Sequence, residues 1–457
     1  MQVRIKIKNG VFHMRKSRVI SSIGLLSLTL IVSACGKAAG PAEPAPGQTP
    51  DTSPPPATVN NQPVTVKIAV HAGIVNDNDL KRYFIEPVKA KYPHITIERI
   101  NVADKGLSLP ELVSTNAVPD MVINYPYNLT DLSQLGISYN MDELIKTHKL
   151  DLNRISPEYL ESIKIVNGSN YYTGLPMNNN TFALFFNKDL FDRFGVSYPK
   201  DGMTWDEVRD IAVKLTRSEN GVQYYGLFPD NVYRGAYQAS VPFVDLQNNK
   251  SVFQTDAWKK LFELWYSLYK YPGAEIMPKE MNTVNGFKTG QIAMFSGYSG
   301  QLPDLLSMKD LNWDVVTYPT NKVAPGVGQR VDSPMMSITS TSKVKDAAMQ
   351  IISVILSDEV QTEMTRNLQS SVLKDPKINA QFGKATPELA SKNVVAFTKL
   401  KVAVLKPFGF VPVGSAAGIP ITAFTELLYA GKDVNTVLRE ADEKMEKVIA
   451  EELQKKK

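Results

Sequence analysis

One cysteine, Cys35, stands in a chain of 457 residues. No intramolecular disulfide can form, and no cysteine-based zinc or iron–sulfur site can assemble. A chain with this restriction must hold itself together by burying apolar surface. Its length permits that, and suits two domains once a leader is removed. With 43% apolar and 21% charged residues, its composition is that of a globular protein.

The formal net charge is +5, but the excess is local. Residues 1–34 carry Arg4, Lys6, Lys8, Arg15, Lys16 and Arg18, and no acid. Without those six, 45 basic residues face 46 acidic ones. No basic footprint for nucleic acid remains, and no nucleic-acid partner is expected. The run Met14 to Arg18 is a positive n-region, and Val19 to Val32 is an apolar stretch of 14 residues. A membrane span needs about 20, so residues 1–34 read as a signal peptide with Met14 the expected start.

That stretch ends in Val32-Ser33-Ala34-Cys35-Gly36. It resembles the lipobox of bacterial lipoproteins. The resemblance implies that Cys35 is lipidated, with a diacylglycerol and an N-acyl chain such as palmitate, and becomes the new N-terminus. Residues 35–63 then form the lipidated cysteine and a linker. Eight of the 27 residues from Lys37 to Pro63 are proline. Such a segment favours extended polyproline conformations and would reach roughly 80 Å from the membrane.

From Val64 the texture changes. Val64 to Val70 alternates and is β-branched, so a strand is expected, followed by a loop from His71 to Asn78. Asp79 is expected to cap a helix with Leu80, Tyr83, Phe84 and Val88 on one face. Ile95 to Ile100 predicts a second strand, Leu109 to Asn116 a helix, and Pro119 to Ile123 a buried strand. This order argues for an α/β layer with a mostly parallel sheet. Further on, Thr204-Trp205-Asp206-Glu207 is a capping box, with Trp205, Val208, Ala212 and Leu215 on one face. Asp256 opens a helix with Trp258, Leu261, Phe262, Trp265 and Leu268 inward. Ala347 to Leu356 and Val434 to Ile449 read as apolar and amphipathic helices.

Several segments together resemble the family 1 extracellular solute-binding proteins of ABC importers. These are Tyr171 to Pro176, Phe182 to Phe191, Phe194 to Glu207, Phe287 to Met294 and Ala430 to Val434, in the expected order. The resemblance implies a periplasmic-binding-protein-like α/β fold, two α/β lobes joined by hinge crossovers around a ligand cleft. Lobe 1 is expected at 64–180 plus 335–371, and lobe 2 at 181–334 plus 372–457. Hinges fall near Asn179 to Thr181, Asp332 to Pro334, and Ser370 with Ser371. The implied function is capture of a sugar or oligosaccharide by a lipid-anchored monomer at the outer face of the cell membrane, and delivery to ABC permease subunits. A surface-anchored carbohydrate hydrolase and a ligand-presenting sensor subunit remain as alternatives.

A sugar site needs aromatic platforms and directional polar groups. Those types are sought in loops at strand ends, where open α/β sheets bind ligands. Asn124 and Tyr125 follow the buried strand. Asn76 and Asp77 follow the first strand. Tyr298 sits among Gly297 and Gly300, at a position where the family commonly stacks on sugar. Phe410 lies in a late loop the family brings to its cleft. Asn180 stands at an expected hinge, and Tyr233, Arg234, Tyr237 and Asp332 complete the candidates. The tryptophans Trp205, Trp258, Trp265 and Trp313 read as core.

No catalytic residue, metal ligand or cofactor is expected. Gly297-Tyr298-Ser299-Gly300-Gln301 has its second glycine at the wrong offset for a nucleophile elbow. Gly326 to Val331 lacks the third glycine of a dinucleotide loop. His71, His94 and His148 form no H-E-x-x-H pattern. A carboxylate pair for glycoside hydrolysis depends on spatial separation, which sequence does not display.

Overall fold

The computed structural model describes residues 62–455, apart from 272–273, 281–283, 407, 410 and 412. The expectations for the signal peptide, Cys35, nearly all of the linker and Phe410 lie outside the described residues.

The first strand, β1 (Val64–Val70), buries Val66, Ile68, Ala69 and Val70. A helical run follows, here α1, in three segments: Asp77–Asp79, a π-helical Leu80–Ile85, and Glu86–Lys91. It starts earlier than the sequence suggests. Asn76 is extended and its side chain accepts from Asp79 N at 3.0 Å, so Asn76 is the cap and Asp79 lies inside the helix. The expected face still turns inward: Tyr83, Phe84 and Val88 are buried. Then come β2 (Ile95–Asn101), α2 (Leu109–Ser114) with Pro110 in its first turn, and β3 (Met121–Asn124).

After β4 (Leu175–Pro176) the chain enters a second layer at β5 (Phe182–Asn187). All six residues of β5 are buried, because elements cover both faces of its sheet. Three helices lie on this side: α3 (Trp205–Leu215), α4 (Val232–Gln238) and α5 (Asp256–Tyr269). The capping box forms as read. Glu207 Oε2 accepts from Thr204 N at 2.7 Å, and Thr204 Oγ1 from Glu207 N at 3.3 Å. Trp205, Trp258, Trp265 and Trp313 are buried, and the rings of Trp205 and Trp265 sit 5.2 Å apart. Strands β6 (Met294–Tyr298) and β7 (Trp313–Thr317) flank β5, both antiparallel to it.

Beyond β8 (Val327–Arg330), β9 (Met335–Ile338) returns to the first sheet. It is followed by α6 (Lys345–Ile355) and α7 (Asp358–Arg366), with α6 packing on α1 and β1. Late in the chain β10 (Lys401–Ala403) pairs in parallel with β8. Helices α8 (Val413–Tyr429) and α9 (Val434–Lys455) pack on each other and on α5.

The first sheet has the order β2-β1-β3-β9-β4. Only the β1 pairs, with β2 and β3, are parallel, and β9 runs antiparallel to both β3 and β4. The expected mostly parallel sheet is therefore a mixed one. Helical crossovers keep β1, β2 and β3 parallel, whereas β9 arrives from the second layer and runs back. Among the described residues no helix is long and apolar enough to cross a membrane.

Three connecting segments run side by side between the sheets. Met177 N donates to Pro334 O at 2.8 Å, Asn179 N to Ser370 O at 2.9 Å, and Asn180 N to Asp332 O at 3.3 Å. The buried side chain of Asn179 adds a fourth tie, its Oδ1 accepting from Asp332 N at 2.9 Å.

Close packing around α3 gives a direct test. A Cβ at Gly226 would lie 2.1 Å from the main-chain oxygen of Ala212. Backbone cannot swing aside as a side chain does. Gly226→Ala is expected to destabilise the fold by about 3 kcal/mol, the upper end for overpacking, as measured by urea denaturation.

Candidate functional site

The site grows from the ends of strands. At the end of β3, Asn124 Oδ1 accepts from Tyr125 N and from Asn128 Nδ2, both at 2.9 Å, and so turns the chain. The turn directs the Tyr125 hydroxyl toward Asn180, whose Nδ2 stands 3.4 Å away. The same Nδ2 is 3.3 Å from Asp332 Oδ2. Asp332 Oδ1 is 3.9 Å from Arg330 Nη2, and the Arg330 guanidinium lies 4.0 Å from the Tyr237 ring centre. A path of contacts thus leads from the first sheet, across two connecting segments, onto α4.

Helix α4 presents Tyr233, Arg234 and Tyr237 together. The two tyrosine rings meet edge to face at 5.2 Å. Arg234 Nε is 3.1 Å from Asp230 Oδ2, and its guanidinium covers the Phe182 ring at 4.6 Å. Asp230 holds a left-handed backbone, φ +66°, unusual for a residue with a side chain. Its carbonyl anchors this conformation by accepting from Trp265 Nε1 at 3.2 Å and Tyr269 Oη at 3.1 Å. Tyr298, 40% exposed at the end of β6, also neighbours Phe182, with ring centres 6.0 Å apart. Gly300 permits that placement, since a Cβ there would lie 2.5 Å from Tyr298 Cε2.

The structure therefore brings Tyr125, Asn180, Asp332, Tyr233, Arg234, Tyr237 and Tyr298 into one constellation. Asn124 shapes the turn beneath it. Asn76 and Asp77 are not brought into it and have local duties. Asn76 caps α1, and Asp77 Oδ1 pairs with Arg99 at 2.6 Å. They approach the crossovers through Asp79, whose carboxyl takes a hydrogen bond from Gln369, which accepts from Asn178. Phe410 is not described, but its neighbour Phe408 packs 6.3 Å from the Tyr237 ring.

Sequence reasoning missed Arg330, Asp230 and Phe182 as members. Asp230 stands four residues before Arg234, a spacing that signals a helical ion pair. Arg330 lay inside the glycine pattern tested as a dinucleotide loop, and nothing local marks it out. Phe182 carries no signal beyond its strand.

Burial raises the Tyr125 hydroxyl above its ordinary pKa, and the Asp332 carboxylate adds to the effect. Burial does the same to Tyr233 and Tyr237. Burial is the largest single effect on Arg234 and would lower it, but the Asp230 and Asp332 carboxylates and the neighbouring phenols together outweigh it, and the net shift is upward. Phenols that stay protonated and guanidiniums that stay charged supply donors, and Asp230 and Asp332 supply acceptors. Aromatic rings stand beside both. An apolar cavity of about 530 Å³ beside Trp205 and Leu261 offers far less: its Asp206 already pairs with Lys322 at 2.7 Å.

A two-lobed α/β fold with polar and aromatic side chains gathered where its sheets meet defines a binding protein for a small polar solute. The chain belongs to the bacterial extracellular solute-binding protein family, whose model matches residues 84–372. It is accordingly a solute-binding protein and not an enzyme. It is 32% identical over 133 residues to a multiple sugar-binding protein of Streptococcus mutans, a match spanning 29% of each chain. Among solved structures, a sugar transporter from Rhizobium etli in an open conformation superposes with a TM-score of 0.66 at 22% identity, covering 84% of this chain and 99% of that one. The sugar-binding protein MalE from Xanthomonas citri gives 0.69 at 17% identity, covering 85% and 98%.

Proposed function

We propose that this protein captures a sugar or oligosaccharide outside the membrane and delivers it to an ABC importer. Two lobes, 64–180 plus 335–371 and 181–334 plus 372–457, hinge at the three adjoining segments and close on the solute. The observation that carries this reading is the constellation of Tyr125, Asn180, Asp332, Arg234, Tyr233 and Tyr298. Its members come from both sheets, from α4 and from the crossovers. Rings offer faces for sugar C–H groups, while carboxylates, amide and guanidinium groups match vicinal hydroxyls. The sugar-binding names of the relatives support the same class of ligand.

Closure on contacts to both lobes is a population shift toward the form an importer recognises. Lipid on Cys35 keeps the protein at the outer face of the membrane, and the proline-rich linker gives it reach.

Screening saccharides by thermal unfolding tests the reading. A true ligand present at a hundred times its Kd stabilises the protein by about 2.7 kcal/mol, with a matching rise in Tm. A broad panel that leaves Tm unchanged contradicts a sugar ligand. Because the Tyr125, Tyr233 and Tyr237 hydroxyls keep their protons well into alkaline conditions, affinity is expected to stay level between about pH 7 and pH 9 in titration calorimetry.

A further inference from the structure

Charge balance in the constellation narrows the ligand. Two guanidiniums border it, and each has a carboxylate of its own: Arg234 with Asp230 at 3.1 Å, and Arg330 with Asp332 at 3.9 Å. These side chains are 18%, 21%, 8% and 18% exposed, so water screens them poorly. The same four groups are the charged residues that act on the Tyr125, Tyr233 and Tyr237 hydroxyls. On the rim of the first sheet, Asp77 and Arg99 are also matched. The residues left undescribed between 62 and 455 are Pro272, Gly273, Met281, Asn282, Thr283, Pro407, Phe410 and Pro412, and none is charged.

We propose that the cleft selects uncharged saccharides and rejects uronic acids and amino sugars, with the Arg330–Asp332 pair setting the balance. This rests on the sugar reading above. An ionised ring enclosed between the lobes loses its hydration and needs a counter-charge not already matched. A carboxylate entering here finds each guanidinium already facing a carboxylate, and an ammonium finds each carboxylate already facing a guanidinium. A hydroxyl meets no such conflict, because it donates to the carboxylates and accepts from the guanidiniums, Asn180 and the phenols. Rejection of a ligand whose charge stays unpaired is how electrostatics confers specificity.

Asp332 is the position at which to tip the balance. It touches Asn180 and Arg330, and its loss leaves the Arg234–Asp230 pair and the Phe182 stack in place. The test uses the purified chain and three panels of oligosaccharides, two to six rings long: neutral hexoses, galacturonic acids and deacetylated glucosamines. Binding is measured by calorimetry at low and at high salt. The inference expects hits in the neutral panel alone, with affinities that salt changes by less than about twofold. Asp332→Asn is expected to weaken the neutral hits about tenfold and to create salt-sensitive binding of galacturonides. Binding confined to a charged panel overturns the inference and leaves the sugar reading intact. An Asp332→Asn protein with the wild-type preference overturns the role given to the pair. Silence in all three panels overturns the sugar reading, and the inference with it.

Discussion

Replacing Arg234 with methionine is expected to weaken saccharide binding by more than about a hundredfold, near 3 kcal/mol. Methionine keeps an unbranched apolar stem but not the guanidinium that covers Phe182. What disappears is the charge. Asp230 then loses its cationic partner and keeps only the hydrogen bonds from Asn231, in a place where its side chain is 21% exposed. Its Oδ2 is left without a donor and its charge without a counter-ion, a state relieved by a proton or by water. The stacked cation over Phe182, at 4.6 Å, goes as well. The defect should exceed that of Tyr298→Ala, which removes one half-exposed ring and is expected to cost about tenfold. Titration calorimetry reads both losses. Urea denaturation of the same variants separates binding from folding: Arg234→Met should unfold at lower denaturant, and Tyr298→Ala should not.

The second large effect tests the proposed lipid anchor and is all-or-none. With Cys35→Ser, no thioether can form, and the full-length protein is expected to leave the membrane fraction for the medium. The physical reason is the steepness of lipid partitioning, about 0.8 kcal/mol per buried methylene. One chain gives marginal binding, several give stable anchoring, and none gives release. Fractionation of cells fed labelled palmitate checks the point. Label in wild type and none in Cys35→Ser, with the protein redistributed, is the expected result. A membrane-bound, unlabelled serine variant would contradict lipidation as the anchor.

Local patterns carried much of the architecture. The first strand matches its alternation over Val64–Val70, and the Thr204–Glu207 capping box forms with both hydrogen bonds. The inward faces of α3 and α5 are those that a 3.6-residue period picks out, because burial follows that period directly. The direction of β9 was not legible. It depends on which way the chain re-enters a sheet after an excursion of more than 150 residues, and no window of sequence records that. The cap of α1 was misplaced for a smaller reason: Asn76 and Asp79 hydrogen-bond each other, and either type can cap.

The site shows the same division. Tyr125, Tyr298 and Asn180, picked out by strand ends and by what the family resemblance implies, lie within the constellation. Arg330 was not picked out, since its importance comes from lying over Tyr237, 93 residues away in sequence. Asp230 was within reach, for its pairing with Arg234 follows helical spacing.

The central claim is that two lobes close around a saccharide. Because Cys35 is the chain's sole cysteine, Cys35→Ser gives a background for paired spin labels at Lys89→Cys, beside the first sheet, and Lys309→Cys, beside the second. Both positions are exposed. Pulsed dipolar spectroscopy then reads the distance between the lobes. Saturating saccharide is expected to move the whole distribution by several ångströms to one narrower peak. A protein shown by calorimetry to be saturated, yet with an unchanged distribution, would contradict the account.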